Sequence, residues 1–293
     1  MKNRMIRLLA LALALVMLLS LAACGGKKES SSTPPSSSSE PSSVSSEPTP
    51  VVPAGPETSD PVGGDGTIEN VKLGAKIAKG MDRNEDTIGW ITIPNMEVDD
   101  AVIQYIDNEY YLRLDEDKNY SVYGCYWADP ACILDLGRDE LSRNTIIYGH
   151  SSYRDKADDP KFSQLFHYLD LDFLKENPYI YFSTEDDDMV WQVFAVFYTH
   201  INFDYIQANP TAAVFDEIVK EAKERSEYII DLDVSSDDKI LTLSTCTGLY
   251  NGHLYPNGDY DNYRYVVMAK LLPAGATGKC TTAMSVNPSP KKS

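Results

Sequence analysis

The sequence predicts a mainly β fold, either an all-β sandwich or a closed barrel, with one helix before the strands and a longer one inserted late. Short segments rich in β-branched and aromatic residues recur between about residues 88 and 271, and Gly, Pro, Asn or Asp separates them. Such spacing is typical of sandwiches and barrels. Three further segments are predicted to be helical instead.

The elements follow in chain order. Helical spacing predicts a first helix over Asn70–Met81, a short helix over Phe162–Leu169, and a longer one from Thr211 to about Ser226, which Pro210 precedes as is typical of a helix start. The predicted strands are IGWITIP, DDAVIQY, VYGCYWA, RNTIIYGH, YIYFST, MVWQVFAVFYTH, EYIIDL, KILTLSTC and NYRYVVMAKL.

The N-terminal segment MKNRMIRLLALALALVMLLSLAACGG has the form of an export signal, with cations first and a small-residue end. Its end, LAACG, resembles a bacterial lipobox, so we expect residues 1–24 to be a lipoprotein signal and Cys24 to carry the lipid. The mature chain would then be anchored to the extracytoplasmic face of the membrane. An uncleaved signal anchor is the alternative.

Composition divides the rest into three parts. Residues 25–66 are rich in Ser and Pro and are expected to form a disordered tether. Residues 67–272 have the length of one domain. Residues 273–293, rich in Gly, Thr and Pro, are expected to be a disordered tail.

Charge and cysteine content exclude some functions. With 44 acidic and 26 basic residues the net charge is −18, which disfavours nucleic acid as a partner. No calcium-loop motif is present, and we expect no metal and no cofactor.

The cysteines suggest few disulfides. A bridge between Cys125 and Cys132 is compatible with their spacing but not established by it. Cys280 falls in the tail, and Cys246 has no obvious disulfide partner.

Cys246 is either a buried core residue or a nucleophile. It ends the alternating run ILTLSTC just before a turn-rich loop, a position that exposes a thiol at the rim of a sheet. His150 also ends an apolar strand and is the favoured base over His253, which lies in a loop; His167 and His200 are taken as structural.

Arg264 is the candidate oxyanion donor. It heads the apolar strand that follows the loop after Cys246, so an antiparallel return would bring the two residues side by side. A surface arginine in a salt bridge is the alternative.

These segments together resemble the sortases, the cysteine transpeptidases of Gram-positive surfaces, and class B in particular. The resemblance rests on TLSTC before and including Cys246, IIYGH ending at His150, and YRYVVMAKL around Arg264, and it extends over DTIGWITIPNMEVDDAVIQY and the helix before ERSEYIIDL. It implies a closed barrel of about eight strands, with the long helix before the cysteine strand.

The resemblance also implies roles. Cys246 would attack a sorting-signal peptide and form a thioester, His150 would protonate the leaving amine, and Arg264 would stabilise the oxyanion. No acid follows Cys246 directly, because Thr247 stands there, so no third triad member is assigned. The positions that match a peptide groove are Asn108, Leu112, Tyr205, Ile206, Ser244 and Thr245.

The implied partners are a surface protein or pilin with an NPxTx-like signal, an amine of peptidoglycan precursor or pilin as acceptor, and the membrane through the N-terminal lipid. We expect a monomer. A surface cysteine protease, or a lipoprotein that binds without catalysis, are the alternatives.

Overall fold

The structure is a computed structural model that describes residues 64–152, 154–185, 187–248 and 262–292. The predicted signal, Cys24, nearly all of the tether and His253 lie outside these residues. None of the described helices has the length and apolar character needed to cross a membrane.

Eight strands form a closed barrel, which confirms the predicted mainly β fold. The strands of the described chain are β1 (Thr67–Ile68), β2 (Thr87–Ile93), β3 (Val98–Gln104), β4 (Tyr126–Ala128), β5 (Asn144–Tyr148), β6 (Tyr179–Thr184), β7 (Val190–His200), β8 (Tyr228–Ile230), β9 (Ile240–Cys246), β10 (Tyr263–Leu271), β11 (Gly278–Lys279) and β12 (Met284–Val286). Around the barrel the strand order is β10-β7-β6-β2-β3-β4-β5-β9, and all neighbours are antiparallel except β3–β4 and β5–β9.

Strands β9 and β10 are buried on both faces because a helix, Ala212–Arg225, covers the outside of the barrel there. Leu243 and Val267 pack in the barrel interior, whereas Ile240 and Val266 pack outward in a second apolar cluster with Phe215 of that helix. Alternate residues of a strand point to opposite faces, so a strand buried twice reads as a nearly continuous apolar run.

The helices are α1 (Gly74–Arg83), α2 (Leu171–Glu176) and α3 (Ala212–Arg225), with 3₁₀ helices at Tyr110–Arg113 and Lys161–Leu169. The long predicted helix is confirmed as α3, and the Thr211 hydroxyl caps it by accepting from the Val214 N–H at 3.4 Å. Helix α1 starts later than predicted, at Gly74.

The predictions missed α2 and took the preceding 3₁₀ segment for an ordinary short helix. Asp170 separates the two because its carboxylate accepts from the Asp172 N–H and starts a new helical turn.

The prediction of a disordered tail over residues 273–293 is wrong. In the tail β11 pairs with β1, and β12 pairs with β8, which is therefore outside the barrel. Lys291 forms an ion pair with Glu221 of α3. The tail is ordered because it supplies strand partners to two edges, so the folded unit extends beyond residue 272.

Cys125 and Cys132 are not bridged. Both are buried in different apolar clusters, and the Cys132 sulfur accepts from the Ile146 N–H at 3.3 Å. These two thiols therefore act as core side chains.

Candidate active site

The register of three adjacent strands places Cys246, His150 and Arg264 together. Cys246 on β9 is directly opposite Arg264 on β10. The parallel β5–β9 ladder ends at the pair Tyr148 and Ser244, and two residues further along each chain come His150 and Cys246. Residues two apart in a strand share a face. The three predicted residues thus meet at one rim and on one face of the barrel.

Cys246 is half-buried at the end of β9 and borders a cavity of about 370 Å³. Its carbonyl oxygen accepts a hydrogen bond of 2.6 Å from the Ser151 hydroxyl. The residues that line the cavity are Arg113, Val122, Tyr123, His150, Ser151, Ser152, Arg154 and Cys246. The thiol is therefore open to a substrate while its backbone is held in place.

The imidazole of His150 is fixed from several sides. Its Nε2 lies 2.6 Å from the carbonyl oxygen of Leu112, a distance that assigns the proton to Nε2 and leaves Nδ1 for exchange. The ring lies 5.4 Å from that of Trp127. Burial lowers the His150 pKa below its ordinary value; the hydrogen bond to the Leu112 carbonyl acts to raise this pKa, and the charge of Arg113 acts to lower it.

Gly149, the residue after β5, lets the chain pass closely over the core just before His150. A Cβ at this position would lie 2.7 Å from Phe162 and 2.9 Å from Tyr126. The Phe162 N–H also donates to the His150 carbonyl at 2.9 Å. The glycine of the IIYGH segment is thus a packing requirement that sets where the histidine leaves the strand.

Arg264 lies near both the thiol and a buried tyrosine. Burial raises the pKa of Tyr205 to about 12, while the nearby charge of Arg264 acts to lower it and that of Cys246 to raise it. The Tyr205 hydroxyl is 2.8 Å from that of Ser244. A guanidinium in this position can stabilise negative charge that develops on a group bound at Cys246.

The other predicted groove residues do not all reach this face. Leu112 and Ile206 are exposed, and Asn108 donates to the Asp129 carboxylate at 3.0 Å. Thr245 is buried on the opposite face of β9 from Cys246, and its hydroxyl donates to the Gly149 carbonyl at 2.7 Å. Thr245 therefore stabilises the position of β9 and does not face a bound peptide.

Asn144 fastens the segment that carries Tyr205 to the barrel. Its side-chain N–H groups donate to the carbonyls of Tyr205 (2.8 Å) and Gln207 (3.1 Å), and its oxygen accepts from the Thr242 hydroxyl at 2.7 Å. Asn144 is fully buried. These bonds fix one wall beside Cys246.

Sequence reasoning missed Arg113, Ser151 and Asp155. The Asp155 carboxylate accepts from the Thr247 hydroxyl at 2.5 Å and from the Gly248 N–H at 2.8 Å. The sequence GHSSYRD already puts Ser151 and Asp155 just after the candidate base, which was the available signal.

The other cysteines of the described chain do not offer a comparable nucleophile. Burial raises the pKa of Cys125 and Cys132 to about 12. Cys280 packs against the apolar cluster that contains Leu73 and Tyr179, and its sulfur accepts from the Gln192 amide at 3.3 Å. Within the described residues, His, Cys, Asp and Glu side chains form no group able to hold a metal ion.

Comparisons with known proteins agree with this arrangement. A family model described as a sortase domain matches residues 91–272. Sortase B of Listeria monocytogenes is 32% identical over 190 residues, which cover 64% of this chain and 71% of that protein. Sortase B of Staphylococcus aureus is 28% identical with the same coverage. A solved Staphylococcus aureus sortase B–substrate complex aligns with a TM-score of 0.57 and 26% identity, over 69% of this chain and 86% of that one.

Proposed function

The chain belongs to the sortase family as a class B cysteine transpeptidase, and on this premise we propose that it cleaves an NPxTx-like C-terminal sorting signal and transfers the acyl group to a cell-wall or pilin amine. The observation that supports the proposal best is the register that sets Cys246 opposite Arg264 and level with His150. A nucleophile, a proton carrier and an oxyanion donor are the groups that acyl transfer needs.

In the first half-reaction His150 takes the proton of the Cys246 thiol, and the resulting thiolate attacks the carbonyl carbon of the scissile peptide bond. Arg264 donates hydrogen bonds to the oxyanion of the tetrahedral intermediate. His150, protonated at that stage, gives a proton to the leaving amine, the C–N bond breaks, and the acyl group remains on Cys246 as a thioester.

In the second half-reaction an acceptor amine attacks the thioester carbonyl and His150 removes its proton. The C–S bond then breaks, which restores the thiolate and releases the new amide. The lowered pKa of His150 suits this step because a neutral imidazole is ready to take the proton. Thiol and imidazole share one proton between them, so their titrations are coupled.

We infer the location and partners from the sequence. A lipid on Cys24 and a Ser/Pro-rich tether would hold the domain, as a monomer, outside the membrane within reach of peptidoglycan and of the surface protein or pilin it acts on. Mass spectrometry of the mature N-terminus tests the anchor: a lipidated Cys24 supports it, and a retained Met1 contradicts it.

A peptide assay tests the activity. The full chain is incubated with a fluorogenic NPxTx peptide library, with and without diglycine, beside Cys246→Ala and the control Cys280→Ala. We expect a new amide with diglycine for the wild type and the control, and no product from Cys246→Ala.

The other outcomes separate the alternatives. Hydrolysis without the amide identifies a surface protease. Lack of both cleavage and Cys246 labelling by a peptidyl vinyl sulfone identifies a protein that binds without catalysis.

A further inference from the structure

The loop that follows His150 is hydrogen-bonded to the residues after β9 through the carboxylate of Asp155. Both of its oxygens are used there, one for the buried Thr247 hydroxyl and the other for the Gly248 N–H. Asp155 is half-buried and has a φ of +48°, a left-handed conformation that aspartate adopts more readily than most other non-glycine residues.

The contact lies beyond the end of the strand ladder. The last β5–β9 pair is Tyr148 with Ser244, so His150 and Cys246 both lie two residues beyond the end of the β5–β9 ladder, although Cys246 still pairs with Arg264 of β10. Before His150, the Thr245 hydroxyl donates to the Gly149 carbonyl at 2.7 Å. After His150, the two segments are joined by a hydrogen bond of 2.6 Å from the Ser151 hydroxyl to the Cys246 carbonyl and by the two bonds to Asp155.

We propose that Asp155 is a positioning residue that sets the separation of thiol and imidazole by tying the loop after His150 to the two residues after Cys246. The proposal rests on the roles of Cys246 and His150 given above. A misplacement of reacting groups by about 1 Å costs on the order of 100-fold in rate, so a tie at this point has a large effect on turnover.

Substitutions can separate the effect of the two Asp155 hydrogen bonds from the effect of its negative charge. In Asp155→Asn the amide oxygen can still accept from Gly248 and the amide nitrogen can donate to the Thr247 hydroxyl, so both contacts remain without the charge. Asp155→Ala removes both contacts. Thr247→Val removes one contact and keeps the volume of a buried side chain.

The first readout is peptide turnover by the full chain. We expect Asp155→Ala to lower kcat roughly 10- to 100-fold with little change in KM, as for a misplaced catalytic pair. Asp155→Asn should stay within about fivefold of the wild type, the factor that one weakened hydrogen bond is worth. If the asparagine variant is as impaired as the alanine variant, charge and not position is the cause, and the proposal is wrong.

The second readout does not need a sorting substrate. The rate of Cys246 alkylation by iodoacetamide is measured against pH for the wild type, His150→Ala and Asp155→Ala. A nearby imidazolium favours the thiolate, so His150→Ala should lose the reactivity at low pH that this pairing provides. We expect Asp155→Ala to lose it too and Asp155→Asn to keep it.

The outcomes distinguish the two proposals. If the wild type cleaves no peptide, the proposed function fails, while the alkylation profiles still report whether Asp155 holds the pair. A wild-type profile in Asp155→Ala overturns the positioning role. Thermal melting checks folding, and if Asp155→Ala does not fold, Thr247→Val replaces it in both readouts, with an expected loss of about fivefold for one hydrogen bond. A wild-type kcat and profile in Thr247→Val would then overturn the proposal.

Discussion

Replacing Asn144 tests whether the wall beside Cys246 depends on one buried amide. Asn144→Leu keeps the branched shape of the side chain and removes three hydrogen bonds, to the carbonyls of Tyr205 and Gln207 and to the Thr242 hydroxyl. Each bond contributes about 1 kcal/mol net, and each buried group left unpaired costs about 1–3 kcal/mol. We expect the free energy of unfolding to fall by about 3–5 kcal/mol, since part of the exposed chain can rehydrate.

The assay is urea unfolding of the full chain followed by tryptophan fluorescence. Thr242→Val is the matched control, because it removes only one of the three bonds and should cost about 1 kcal/mol. KM for the sorting peptide should rise more than kcat falls in Asn144→Leu, because the loosened segment carries Tyr205 and not the thiol. A loss below 1 kcal/mol for Asn144→Leu would refute the reasoning.

In a second variant, Asn144→Asp, the free energy of unfolding should depend on pH in a direction that burial determines. Burial would raise the pKa of the new carboxyl above its value in the unfolded chain, so the folded state binds the proton more tightly. Its stability relative to the wild type is then greatest at low pH and is lost as pH rises through the folded-state pKa. Unfolding at pH 5 and pH 8 measures this, and an equal deficit at both values would contradict it.

Three further predictions concern the surroundings of the site. Arg113→Gln removes a charge that lowers the His150 pKa, so that pKa should rise, as NMR titration of the imidazole would detect; an unchanged value would show that the charge of Arg113 does not act on the imidazole. Gly124→Ala places a side chain at φ +57° and should cost about 1 kcal/mol in urea unfolding, whereas no loss would mean that the loop relaxes freely. Deleting residues 273–293 removes the β12–β8 pairing and should lower the free energy of unfolding by roughly 2 kcal/mol, or Tm by about 4–8 °C. An unchanged Tm would show that the ordered tail adds no stability.

The barrel and the three candidate groups could be predicted because their signals are local. A strand that is buried on both faces leaves an apolar run in the sequence, as in Ile240–Cys246, and its last residue marks a rim. Cys246 and Arg264 are separated by one loop, so a simple antiparallel return was enough to pair them. The sequence also favoured His150 over His253 because a strand end holds a base better than a loop does.

Other features depend on contacts that local pattern does not encode. Asp155 binds a residue 92 positions away, and Asn144 binds the Tyr205 carbonyl 61 positions away. A polar residue has the same appearance in the sequence whether it faces water or a distant backbone. The tail was misjudged for a related reason: its composition disfavours a core, yet it is ordered by strand edges that other segments provide.

The central claim is that Cys246 carries the acyl group, and trapping that intermediate tests it most directly. The full chain is mixed with an NPxTx peptide without an amine acceptor, quenched in acid and analysed by intact and peptide-level mass spectrometry. We expect the acyl mass on Cys246, its release by hydroxylamine, and no adduct in Cys246→Ala. An acyl group on another residue, or peptide cleavage undiminished in Cys246→Ala, would contradict the claim.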